Sequence, residues 1–192
     1  MSKLLLSLAV LAGVVFLFVR WAGRGEPPAT GRPAPAFALA DESGAVHRLA
    51  DYSGRWLVLY FYPKDETPGC TTEACKLRDG FAEFRRRNVA VLGVSLDDAA
   101  SHAAFRQRHG LPFPLLSDPD GRTAAAYGAL WDFGIVRFAK RHTYLIDPHG
   151  RLARVFTSVT PDRHDTELIA EIDRLRLEAG RADANNQDVS LR

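Results

Sequence analysis

The sequence predicts an α/β fold built on a mixed central sheet, and three observations carry that expectation. Two continuous apolar runs, 56–61 and 89–94, have the unbroken hydrophobicity of strands covered on both faces. Each is followed by a stretch of helical period, 71–87 and 97–109, as in a strand–helix–strand unit. The body then closes with two strands, 143–146 and 152–156, around a tight turn, and a last helix.

In chain order, the first element is a run of sixteen uncharged residues, 4–19, between Lys3 and Arg20. A helix of that length covers about 24 Å, short of the roughly 30 Å hydrocarbon core of a bilayer. Arg20 can snorkel and Trp21 suits an interface, which extends the helix to about residue 23. Residues 1–23 are therefore expected to form an N-terminal hydrophobic helix, a single-pass membrane anchor, with a cleaved signal as the alternative. Charges flank it on both sides, which leaves the membrane face, periplasmic or cytoplasmic, open. Residues 24–35 are rich in Pro and Gly and read as an extended linker.

The folded domain is expected over 36–178. Residues 37–40 and 46–49 flank Asp41-Glu42-Ser43-Gly44, a hairpin with Gly44 in the turn. In 71–87, Ala74, Leu77, Phe81 and Phe84 share one helical face. A short strand is expected at 114–116, and Asp147-Pro148-His149-Gly150 supplies the turn between the last two strands. Thr160 is placed to cap the final helix and Pro161 to sit in its first turn, with Leu168, Ile169, Ile172 and Leu175 as its buried stripe. Residues 179–192 lack such a stripe and read as a flexible tail.

Composition narrows the function. The chain has 25 Lys and Arg against 23 Asp and Glu, but the segment 1–35 holds Lys3, Arg20, Arg24 and Arg32 against Glu26 alone. The remainder has 21 basic and 22 acidic residues, so the folded part carries no nucleic-acid footprint. Two cysteines are too few for a disulfide framework or a four-thiolate zinc site. His47, His102, His109, His142, His149 and His164 are scattered without metal-ligand spacing and are assigned to surface or core.

Chemistry concentrates in Tyr62-Pro63-Lys64-Asp65-Glu66-Thr67-Pro68-Gly69-Cys70-Thr71-Thr72-Glu73-Ala74-Cys75. This stretch leaves a buried strand and opens a helix, so Cys70 sits at a helix N-terminus, where free N–H groups favour a thiolate. On an intact helix, residues five apart have Cα atoms about 8.5 Å apart, whereas a disulfide needs them within about 7 Å. A Cys70–Cys75 bond therefore requires the first turn to unwind, which is the behaviour of a switch rather than a staple.

Pro63-x-x-x-Thr67-x-x-Cys70 resembles the peroxiredoxin active-site signature, and the longer string through Cys75 resembles the PrxQ, or bacterioferritin-comigratory-protein, branch. The resemblance covers about 35–177 and implies a thioredoxin-like fold. It implies that Cys70 is the peroxidatic cysteine and Cys75 the resolving one, that Thr67 orients the peroxide, and that Pro63 shields the pocket. Arg141, six residues before Asp147, falls where the family has its distant arginine, and Glu73 either braces that arginine or simply favours the helix start. By the same resemblance the substrate is hydrogen peroxide or an organic hydroperoxide, no cofactor or metal is needed, and thioredoxin or a similar dithiol is the reductant. The protein is expected to act as a monomer. The segment before Arg141, with Trp131 and Phe133, is shorter than is usual in the family, which bears on the pocket rim. The alternatives are a membrane-tethered copper chaperone of thioredoxin fold, which wants Cys-x-x-x-Cys, and a thiol–disulfide oxidoreductase, which wants Cys-x-x-Cys.

Overall fold

The computed structural model describes residues 25–190, with side chains as far as Arg181. The first hairpin pairs β1 (Ala38–Asp41) with β2 (Val46–Arg48). Gly44 has φ +86°, and the Asp41 carboxylate accepts the Ser43 and Ala45 amides at 2.8 and 3.0 Å, so side chain and glycine together close the turn. Next come β3 (Trp56–Phe61), α1 (Pro68–Asp79), α2 (Phe81–Arg86), β4 (Val89–Ser95), α3 (Ala99–His109), β5 (Leu115–Ser117) and α4 (Arg122–Ala126). A small hairpin, β6 (Leu130–Asp132) and β7 (Arg137–Ala139), precedes β8 (His142–Ile146), β9 (Leu152–Phe156) and α5 (His164–Ser190).

Among the described residues, seven strands form one sheet in the order β2-β1-β5-β4-β3-β8-β9, while β6 and β7 pair only with each other. β3, β4 and β5 run parallel at the centre, and antiparallel pairs flank them, so the sheet is mixed as expected. Period-two alternation divides the core. Trp56, Val58, Tyr60 and Tyr62 pack with α1 and α5 on one face, while Leu57, Leu59 and Phe61 pack with Tyr127, Ala129 and Tyr144 on the other. Each face of β3 is thus covered, which is why its sequence is apolar without interruption.

Several expectations are corrected. The helix expected at 71–87 starts earlier, at Pro68, and is broken at Gly80. A β-carbon at Gly80 would stand 3.1 Å from Asp165 Cβ, so the glycine permits the close approach of α5 that divides α1 from α2. Thr160 makes no capping hydrogen bond. A 3-10 turn, Pro161–Arg163, intervenes, and α5 begins at His164. The backbone stays helical through Ser190, where a loose tail from 179 was expected.

The end of the Pro/Gly-rich segment is not a free tether. Gly31 N–H donates to Leu152 O at 2.7 Å, Leu152 N–H to Arg32 O at 2.9 Å, and Ala34 N–H to Gly150 O at 2.9 Å. Strand β9 is a sheet edge with unsatisfied backbone groups, and this segment satisfies some of them.

The membrane-anchored location expected from the N-terminus is also corrected. No helix among the described residues is long and apolar enough to cross a membrane. The longest, α5, carries charged residues along its length, Asp165, Glu167, Arg174 and Arg176 among them. The hydrophobic helix expected at 1–23 lies outside the described residues.

Candidate active site

The site lies where β3 hands the chain to α1, at the carboxyl end of the central parallel strands. The connecting loop is pinned at Asp65. Its carboxylate accepts the Tyr62 hydroxyl at 2.8 Å and the Ser101 hydroxyl at 2.7 Å, and meets His102 Nδ1 at 2.8 Å. Its amide donates to the Asp97 carboxylate at 2.8 Å. Burial pushes the Asp65 carboxyl up, but the hydrogen bonds from His102, Ser101 and Tyr62 outweigh it and hold the group below its usual range.

Beyond that anchor the loop is less securely held. Glu66 has φ +59°, a left-handed conformation that costs a non-glycine residue roughly 1–3 kcal/mol. Its ion pair to Arg108 at 2.8 Å and its contact to His109 Nε2 at 3.2 Å are partly exposed, and such surface pairings contribute only about 0–1 kcal/mol each. Thr67 is the N-cap residue of α1 in backbone conformation, yet its hydroxyl donates to Lys64 O at 3.0 Å rather than capping the helix. Pro68 follows in the first turn, where its missing N–H costs nothing. Strain before the helix and the absence of a side-chain cap leave the start of α1 without the support a helix terminus usually has.

Cys70, in that first turn, is buried, and Arg141 Nη2 lies 3.2 Å from its Sγ. Sheet register explains the meeting. β8 runs antiparallel to β3 with His142 opposite Phe61, so Arg141 emerges beside the start of the active-site loop. Arg141 Nη1 ion-pairs with Glu73, one turn further along α1, and lies 3.5 Å from Gly69 O. A β-carbon at Gly69 would stand 3.1 Å from Arg141 Nη2, so glycine leaves the guanidinium room to reach the thiol. The side chain therefore forks, one nitrogen to sulfur and one to carboxylate, a fixed planar geometry that a lysine does not offer.

Glu73 is fully buried. Burial pushes its carboxyl up to about 7, against the pull of the Arg141 charge. Of the two roles open to Glu73, its ion pair matches the brace, and complete burial is not what a helix-dipole residue needs. His164 lies behind it, with Nε2 at 2.8 Å from Thr143 Oγ1 and 3.9 Å from Glu73 Oε1. Burial, reinforced by the Arg141 charge, pushes this imidazole down to about 4.

These two groups oppose each other in the pH dependence of stability. Neutral His164 contributes stability that is present above about 6.5 and lost as pH falls toward about 4. Protonated Glu73 contributes stability that is present below 4.5 and lost as pH rises through about 7. Replacing one should uncover the other. His164→Gln is expected to lose stability relative to the wild type as pH rises from about 4 to 6.5, the range in which His164 titrates, at up to about 1.4 kcal/mol per pH unit. Urea denaturation across that range measures it, and parallel slopes for the two proteins would refute the assignment.

Of the other residues singled out from the sequence, Pro63 is half-buried and lines a cleft of about 490 Å³ with Leu96, Val136 and Phe138. The β6–β7 hairpin that forms its far wall stacks Trp131 on Phe133 at 5.7 Å. Cys75 is half-buried and, like Cys70, a free thiol. Its Sγ lies 4.0 Å from His109 Nδ1. Histidines set aside as scattered thus gather around the site: His102 holds the loop, His164 backs Glu73, and His109 faces Cys75. No sequence spacing could reveal this, because each meets its partner across 34 or more positions or across layers of the fold.

Comparison with known proteins gives this geometry a family. Residues 30–155 match the model of the AhpC/TSA family. The chain is 40% identical over 144 residues to peroxiredoxin Bcp of Bacillus subtilis, covering 72% of this chain and 91% of that one. It superposes on the crystal structure of peroxidoxin BcpB from Mycobacterium tuberculosis with a TM-score of 0.71 at 34% identity, covering 77% of this chain and 96% of that one. A structure of peroxiredoxin Q from Xanthomonas campestris matches with a TM-score of 0.70 at 32% identity, over 78% and 98%. The fold is therefore thioredoxin-like α/β, and neither the copper-chaperone nor the thiol–disulfide oxidoreductase alternative finds support among these relatives. A thiol held under an arginine at a helix start, in a chain this similar to Bcp and peroxiredoxin Q proteins, shows that the protein belongs to the AhpC/TSA family as a peroxiredoxin, a thiol peroxidase.

Proposed function

We propose that the protein reduces hydrogen peroxide and organic hydroperoxides through Cys70, with Cys75 as the resolving thiol. The observation that carries this reading is the 3.2 Å contact between Arg141 Nη2 and Cys70 Sγ at the N-terminal turn of α1. A guanidinium stays charged at any relevant pH, and together with the free N–H groups of the first turn it favours the thiolate, the nucleophilic form. The thiolate attacks one peroxide oxygen. A sulfur–oxygen bond forms, the oxygen–oxygen bond breaks, and the departing alkoxide or hydroxide takes up a proton. Arg141 faces the charge that moves onto the leaving oxygen, while Glu73 keeps the guanidinium aimed. Thr67 contributes its hydroxyl oxygen to the bound peroxide and Pro63 screens the site from water.

Cys70 is left as a sulfenic acid. The first turn of α1 then unwinds, Cys75 condenses with it, and water is lost. Both cysteines lie on one helix, so a monomer suffices for this step. Thioredoxin or a similar dithiol reopens the disulfide by exchange.

The test uses the full chain with hydrogen peroxide, thioredoxin, its reductase and a nicotinamide electron donor. The wild type is expected to turn over repeatedly. Cys75→Ser should reduce about one equivalent of peroxide and then hold a sulfenic acid that dimedone traps. Undiminished thioredoxin-dependent recycling in Cys75→Ser would overturn the resolving role.

A further inference from the structure

Cys75 Sγ lies 4.0 Å from His109 Nδ1, the other ring nitrogen lies 3.2 Å from Glu66 Oε2, and Glu66 Oε1 is 2.8 Å from Arg108 Nη1. Three elements converge here: the body of α1, the last residue of α3, and the left-handed residue of the active-site loop. The imidazole is held from both sides. Its ring stands edge-on to buried Phe105 at 5.0 Å, and its backbone carbonyl accepts Arg78 Nη1 at 2.7 Å. The charged groups facing it are Glu66 from the loop, Arg78 from α1 and Arg108 from its own helix, with Cys75 the only thiol among the contacts above.

We propose that His109 is the general base of the disulfide-forming step and that Glu66 orients it. This arrangement of thiol, imidazole and carboxylate serves Cys75 rather than Cys70. The proposal rests on the reading of Cys75 as the resolving thiol. A cysteine is a weak nucleophile until its proton is removed, and Cys70 has Arg141 and the helix terminus for that purpose. Cys75 lies beyond the first turn, where no free helix N–H reaches it, so its activation must come from elsewhere. Glu66 facing Nε2 selects the tautomer that carries its proton there, which leaves Nδ1 as the acceptor aimed at sulfur. The 4.0 Å separation suits a general base before the reacting groups have closed.

The step balances without an external oxidant. Nδ1 takes the Cys75 S–H proton as Sγ of Cys75 bonds to Sγ of Cys70. The sulfur–oxygen bond of the sulfenic acid breaks, and the departing hydroxide takes the proton from the imidazolium to give water and neutral His109. A lone pair of the Cys75 sulfur becomes the sulfur–sulfur bond and the sulfur–oxygen pair leaves with the hydroxide, so the Cys75 sulfur is oxidised as the Cys70 sulfur is reduced.

In the experiment, the reduced full-length protein is mixed with one equivalent of hydrogen peroxide between pH 5.5 and 8.5. Sulfenic acid formation and its conversion to disulfide are followed in the same quenched samples. In His109→Gln, sulfenic acid is still expected to form, but its conversion to disulfide should be slower by about 10–100-fold near pH 6.5. The deficit should shrink as pH rises and the thiol ionises unaided. Glu66→Gln should show a smaller deficit of the same shape, and added imidazole should restore much of the rate in His109→Ala. Conversion in His109→Gln that matches the wild type at every pH would overturn the role of His109 while leaving the resolving role of Cys75 intact. A wild type that forms no Cys70–Cys75 disulfide at all would overturn both.

Discussion

Replacing Cys70 with serine is expected to abolish peroxide turnover, with a loss of at least about a thousandfold. The two side chains are nearly the same size, and the serine hydroxyl can still accept from Arg141 Nη2, so the buried position should remain filled and hydrogen-bonded. The nucleophile, however, is lost. An alcohol stays protonated even beside a guanidinium, and oxygen lacks the polarisability that lets sulfur attack a peroxide bond. Peroxide consumption by the full chain in the thioredoxin-coupled assay, alongside a denaturation curve, separates lost chemistry from a lost fold. Turnover within tenfold of the wild type would sink the assignment of Cys70.

The second large effect is expected at Arg141, where one substitution should reduce activity and stability together. Arg141→Met removes the cation opposite the thiolate and the leaving oxygen, for which a loss of about 100–1,000-fold in the peroxide-reduction rate is expected. It also strips fully buried Glu73 of its counter-ion. Breaking a buried pair from one side costs about 3–5 kcal/mol, because a charge is left uncompensated. The sign of the pH dependence follows from Glu73, whose carboxyl burial already raises to about 7. Below that value the carboxyl is protonated and the loss of the arginine is tolerated. Without the arginine that pulls it down, the carboxyl of the variant stays protonated to still higher pH, while the wild type ionises Glu73 and gains the ion pair, so the stability deficit of Arg141→Met should grow as pH rises above about 7. Adding Glu73→Gln should recover stability but not activity. Arg141→Lys should be impaired less than Arg141→Met, since an ammonium keeps the charge but lacks the rigid planar fork that aims one nitrogen at the sulfur and one at the carboxylate. Denaturation at several pH values checks the first part, and single-turnover peroxide reduction checks the second. Full activity in Arg141→Met would refute the role.

Much of the sheet was legible because burial on both faces leaves an unambiguous mark. Trp56–Phe61 matches its expected bounds, and Val89–Ser95 matches to within one residue. The start of α1 was read three residues late, because Pro68 and Gly69 look like loop residues until one sees that Pro68 occupies a first-turn position needing no N–H. Its break was missed because Gly80 sits between apolar positions that keep helical period on either side, and only the approach of Asp165 shows why the glycine is there. The β6–β7 hairpin and α4 were not anticipated: a helix of five residues carries too little periodicity to register, and β6 and β7, unlike the equally short β5, are mostly half-buried or exposed. The Pro/Gly-rich segment was misread for a different reason. Its composition describes a chain with no intrinsic structure, but a free edge on β9 supplies hydrogen bonds that composition cannot report. The membrane assignment rested on residues 1–23, which lie outside the described residues, and no helix among the described residues is long and apolar enough to span a bilayer.

The sequence by itself determined which atoms can do chemistry. It supplied a cysteine at a helix start, a second one five residues on, and a single stretch in which Pro63, Thr67 and Cys70 keep a family's spacing. It also set the sheet, since alternation and continuity of apolar residues are local properties of the chain. Only the tertiary structure decided which charges meet those atoms. Arg141 reaches Cys70 because β8 runs antiparallel to β3 in one register, and a slip of one residue would turn its side chain to the opposite face. Glu73, His164, Asp65, His102 and His109 took their places for the same reason. Electrostatic interactions in a low-dielectric interior depend on separations of a few ångströms between groups remote in sequence, and the fold alone sets those separations.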